Sequence, residues 1–129
     1  MKKTTLALCA LLLVSCLLAP LAFAEETYLT LPAALTAIED EAFRGCGATC
    51  VFIPDGVKSI GSLAFADCAD LEDIHIPKSV SSIADDAFNG HSSSLAIYGA
   101  KNSTAQTYAQ DHGIYFEIVG SGDIVLPEV

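Results

Sequence analysis

The sequence predicts a repeat solenoid: short parallel strands stacked along an axis, joined by short helical turns and closed by a C-terminal helix-strand cap. Three observations predict it. Apolar residues recur in register at spacings of 22 and 23 residues. Each recurrence pairs an alternating apolar segment with a proline that ends it. A unit of that size cannot bury its own apolar face, so successive units must stack to share one core.

The amino terminus stands apart from the repeats. Met1-Lys2-Lys3 is basic, Thr4 to Leu21 is almost uninterrupted apolar sequence, and Ala22-Phe23-Ala24 precedes Glu25. Residues 1–24 therefore read as a secretory signal peptide cleaved between Ala24 and Glu25. Leu13-Val14-Ser15-Cys16 resembles a lipobox and offers Cys16 as an alternative lipidation site, but the apolar residues after it suit a signal interior better. Either reading takes the protein out of the cytoplasm, secreted or at the cell surface. No later apolar run reaches 18 residues, so contact with a membrane is expected only through the signal or a lipid anchor.

Residues 25–99 hold three repeats and a fourth strand. Pro32, Pro54 and Pro77 anchor the alignment. One residue before them stand Leu31, Ile53 and Ile76, and three before stand Leu29, Val51 and Ile74. Three after stand Leu35, Val57 and Val80, then Ile38, Ile60 and Ile83 at six after. Ala42-Phe43, Ala64-Phe65 and Ala87-Phe88 follow, and then Cys46, Cys68 and His91. Each apolar-x-apolar segment has period two and reads as a strand with one buried face. The pair at +3 and +6 reads as a second short extended segment. Asp40, Ser62 and Asp85 are residues that cap helix starts, and they introduce one or two helical turns carrying the phenylalanines into the core.

These columns resemble the BspA-like leucine-rich repeat family. The pattern Ile-Pro-x-x-Val-x-x-Ile-x-x-x-Ala-Phe-x-x-Cys is complete at residues 53–68 and nearly so at 76–90, where His91 replaces the final Cys. The resemblance covers roughly residues 29–119. It implies an extracytoplasmic, bacterial leucine-rich-repeat protein, with adhesion or host and matrix binding rather than catalysis.

Residues 100–119 read as the C-terminal cap. Ser103 and Gln106 have capping-box spacing. Ala105, Tyr108, Ala109 and His112 share one helical face, Gly113 suits a helix stop, and residues 114–119 read as a fifth strand. Residues 120–129 are either a tail or a terminal hairpin built on Ile124-Val125-Leu126. No equivalent cap precedes Leu29. That end is expected to self-associate or to dock on a partner.

Charge narrows the partner class. The chain has 6 basic and 16 acidic residues, and loss of Lys2 and Lys3 with the signal makes the excess larger. Nucleic acid and anionic lipid surfaces would be repelled. Trp is absent, which excludes a glycan site built on stacked indoles. The acids at residues 39–41, 67–73 and 85–86 read as caps and a solvated face, and they lack a calcium-loop pattern. His75, His91 and His112 share no spacing, and no nucleophile elbow, phosphate loop or zinc-protease motif is present. No catalytic residue, metal ligand or cofactor is assigned.

Cys46 and Cys68 share a repeat column. They read most simply as small buried thiols; a disulfide, or a metal site completed by His91, is the sharper alternative. Cys50 is the odd third. The outward strand face offers the best candidate binding residues: Tyr28 and Thr30, then Phe52, then Asp73 and His75. Phe52 flanked by Tyr and His suits a protein contact. The expected function is a non-catalytic module binding protein or glycan on a cell surface or matrix. The alternative is a structural, self-associating envelope component.

Overall fold

The computed structural model describes residues 26–120. The signal peptide, Cys16, the Ala24–Glu25 bond and the terminal hairpin segment lie outside the described residues. The chain winds as a solenoid of about 4 turns. Each turn opens on a strand of one parallel sheet: β1 (Tyr28–Thr30), β3 (Cys50–Phe52), β5 (Asp73–His75) and β7 (Ala96–Gly99). Leu29, Val51, Ile74 and Ile97 lie in register across these strands, so the repeat alignment is also the strand register.

Two residues beyond β1, β3 and β5 a proline stops the strand, since it has no N–H to give the ladder. The chain turns there, and in every repeat the proline carbonyl accepts from the residue three on: Leu35 at 3.0 Å, Val57 at 3.4 Å and Val80 at 3.2 Å. The apolar pair that follows forms the second extended segment. These are β2 (Ala37–Ile38), β4 (Ser59–Ile60) and β6 (Ser82–Ile83), a three-stranded parallel sheet.

The helical turns of the next segment are single turns rather than continuous helix, for a reason the hydrogen bonds make plain. Alternate N–H groups bond within the rung, to the carbonyl three residues back: Ala42 to Glu39, Arg44 to Glu41 and Cys46 to Phe43. The intervening ones, on Glu41, Phe43 and Gly45, donate to the carbonyls of Ser62, Ala64 and Ala66 in the next rung, at 2.9, 2.8 and 2.7 Å. A helix would use all of them internally. The expected helix-capping role of Asp40 is corrected accordingly. Its carboxylate accepts from the Ser62 N–H at 2.8 Å, across rungs. Gly61 makes room for this contact, since a Cβ there would meet Asp40 Oδ1 at 2.5 Å and Asp40 N at 2.7 Å. Gly45, Asp67 and Gly90 occupy one column, and all three have left-handed φ, 69°, 58° and 73°.

The core runs down the axis. Phe43, Phe65 and Phe88 stack with centroids 5.4 Å apart at each step. Phe65 and Phe88 are buried, whereas Phe43, Leu29 and Leu35 at the first rung are only partly covered. At the other end Tyr108 meets Phe88 at 5.6 Å and completes the column. It comes from α1 (Thr104–Asp111), which presents Ala105, Tyr108 and Ala109 to the core. The Ser103 side chain accepts from the Gln106 N–H at 3.2 Å, while Gln106 Oε1 reaches the Asn102 N–H at 2.7 Å, one residue earlier than a standard box. Gly113 leaves the helix at φ 65°. Strand β8 (Tyr115–Ile118) then pairs parallel to β7. It is shorter by one residue at each end than the expected strand.

Candidate functional site

Parallel registry turns one residue per strand into a row, because neighbouring strands repeat about every 4.8 Å. Phe52, His75 and Tyr98 occupy equivalent positions on β3, β5 and β7. Their side chains point away from the core. Phe52 and His75 stack at 4.5 Å with an interplanar angle of 12°, and His75 and Tyr98 at 4.7 Å and 16°. Tyr28 extends the row diagonally from β1, 6.3 Å from Phe52.

Stacking along the row determines what each ring offers. Faces cover faces, so Phe52 is only 7 % exposed although it lies on the outer side of the sheet. Ring edges and tyrosine hydroxyls are what reach solvent. Carboxylates line the row. Glu26 accepts a hydrogen bond from the Tyr28 hydroxyl, which pushes that phenol up to about 12. Burial and then Asp73 raise the Tyr98 hydroxyl. The Tyr115 hydroxyl donates to Glu117 at 3.1 Å. Neither Lys nor Arg occurs in the five strands of this sheet. Burial holds His75 below the ordinary histidine range despite Asp73, and its Nδ1 is buried with no hydrogen-bond partner.

Of the residues singled out in the sequence, the structure gathers Tyr28, Phe52 and His75 into one stack. Asp73 sits two residues from His75, in the cross-strand column of Cys50. Thr30 pairs with Phe52 in register but adds no ring. Tyr98 and Tyr115 were missed. The signal for Tyr98 was present, since it follows Ile97 as Phe52 follows Val51 and His75 follows Ile74. Tyr115 enters through the cap, where the repeat pattern stops.

The other candidates resolve separately. Cys46 Sγ lies 3.1 Å from Cys68 Sγ, which also faces the Phe43 carbonyl at 3.2 Å. His91 is exposed and its Nδ1 lies 2.8 Å from the Ser92 carbonyl. Among the described residues no group of three or more His, Cys, Asp or Glu is placed to hold a metal ion. An open pocket of about 400 Å³ lies where the turn column meets α1, lined in part by Asp85, Asp86, His91, Tyr108 and His112. Its wall is structural. The Tyr108 hydroxyl donates to the Asp85 carbonyl at 3.0 Å. His112 stacks on Tyr108 at 3.9 Å, with Nε2 2.9 Å from that same Asp85 carbonyl.

A parallel β-solenoid capped by a C-terminal helix, with a continuous outward aromatic row, is a repeat scaffold, a class that typically binds rather than catalyses. The family model for the BspA type leucine rich repeat region matches residues 22–111, well over half the chain, and the protein belongs to that family. Such modules are commonly protein-binding and typically extracytoplasmic. No curated protein and no solved structure matches. No helix among the described residues is long and apolar enough to cross a membrane.

Proposed function

We propose that the protein is an exported, non-catalytic module that binds another protein through the outer face of its five-stranded sheet. The signal at residues 1–24 delivers it to the cell surface or its surroundings, where adhesion to a surface or matrix protein is its role. The observation that carries this reading is the stacked row Tyr28, Phe52, His75 and Tyr98 with Glu26, Asp73 and Glu117 beside it. Rigid aromatics lose little conformational entropy on contact, and aromatic side chains are enriched in protein interfaces. The carboxylates select a basic partner surface.

Binding to matrix and envelope proteins, measured with the chain immobilised, tests this. Tyr98→Ala is expected to weaken a captured interaction at least tenfold, and raising the salt concentration to slow its association. Undiminished binding by Tyr98→Ala and by Tyr28→Ala would contradict the assignment.

A second reading rests on the first rung, where Leu29, Leu35 and Phe43 remain partly exposed among the described residues. That end stacks on a second copy or on an envelope component. Sedimentation at rising concentration tests self-association, and a monomer throughout would rule it out.

A further inference from the structure

We propose that Cys46 and Cys68 close an inter-rung disulfide in an oxidising environment and thereby clamp the first rung of the solenoid to the second. The placement is specific. Hydrogen bonds from Phe43 and Gly45 to the Ala64 and Ala66 carbonyls, at 2.8 and 2.7 Å, fix the register of the two segments just before the cysteines. Adjacent rungs spaced by about 4.8 Å fall inside the Cα separation of roughly 4.4–6.8 Å that a disulfide spans. The sulfurs already stand 3.1 Å apart, so a bond of about 2.05 Å requires an approach of about 1 Å.

The neighbouring residues make the pairing selective. Cys46 is partly exposed and can meet an oxidant, while Cys68 lies in the core. Cys50 belongs to the outer sheet face, in register with Tyr28 and Asp73. His91 ends the column in the third repeat, so the column can form one bond.

With glutathione disulfide as oxidant the step balances. Cys46 loses its proton and attacks one sulfur, forming a mixed disulfide and releasing one glutathione thiolate, which takes up the proton. Cys68 then loses its proton and attacks the Cys46 sulfur, releasing the second glutathione. Two cysteines are oxidised by two electrons, and one glutathione disulfide becomes two thiols. Burial raises the Cys68 thiol, so the second attack quickens as pH rises.

The consequence falls on the least covered rung. A solenoid frays from its ends, because an end unit has a neighbour on one side only. The cross-link joins residues 22 apart and ties Phe43, with its half-covered ring, to the buried Phe65. Reduction would release that rung and Tyr28 with it.

The test uses the full chain with Cys9 and Cys16 replaced by serine, equilibrated in glutathione buffers, alkylated after unfolding and mapped by mass spectrometry. The expected product carries alkylation only at Cys50 and yields one peptide pair joined through Cys46 and Cys68. A reductant should then lower the melting temperature by several degrees. Cys50→Ser should keep that response, and Cys46→Ser, at a half-exposed position, should abolish it. Three alkylated thiols at oxidising glutathione ratios, a bond that includes Cys50, or a melting temperature indifferent to reductant would each overturn the proposal.

Discussion

Three residues show how the stack constrains single positions. His75 lies between Phe52 and Tyr98 with a buried, unpartnered Nδ1. Burial depresses its pKa from the ordinary value of 6.5. Above that value both folded and unfolded chains hold neutral histidine and the stability is intact. As pH falls below it, the unfolded chain takes up the proton first and stability declines towards the folded pKa. His75→Phe is expected to flatten the stability profile below about pH 6.5 and to leave the fold intact, as urea titrations across that range would show. Gly90 has φ 73°, and a Cβ there would meet Asp67 Oδ1 at 2.6 Å. Gly90→Ala should cost about 1–2 kcal/mol, read from the shift in denaturant midpoint. Asp67 holds the same left-handed conformation one rung earlier without being glycine. Its carboxylate meets Arg44 at 3.1 Å, an exposed pair that adds little stability.

At the level of elements, the strands were legible because their signal is periodic and local. The Leu-x-Leu, Val-x-Ile and Ile-x-Ile segments and the prolines after them mark the first three rungs, and aligning the prolines aligned the register. The turn column was less legible. Asp40 carries the same side chain whether it caps a helix or reaches the next rung, and only the cross-rung N–H of Ser62 decides between them. The candidate face was half legible for a similar reason. An outward Phe reads as exposed in a single strand, and its burial comes from rings on two other strands. The cap was read from Ser103 and Gln106, and it carries its own test. Ser103 accepts from Gln106 and is itself buried, so Ser103→Ala should destabilise the protein by about 1 kcal/mol. Hydrogen exchange should speed first in α1 and β8.

For the whole molecule, a one-dimensional stack predicts that the cost of a core truncation depends on the rung. Phe65 is fully buried between Phe43 and Phe88, whereas Phe43 has a ring neighbour on one side only among the described residues. Phe65→Ala should cost about 3–5 kcal/mol, much of the stability of a small domain. Phe43→Ala should cost clearly less, with both read by chemical denaturation. The same architecture creates the candidate contact surface, since parallel registry aligns residues from separate repeats into one row. The measurement that tests this account most directly is site-specific photo-cross-linking of a captured partner. Cross-linkers replace Tyr98 in the outer sheet or Lys58, an exposed residue just before β4. Cross-links from position 98 and none from position 58 are predicted. Efficient cross-linking from position 58 with none from position 98 would contradict the assignment of the outer sheet face as the binding surface.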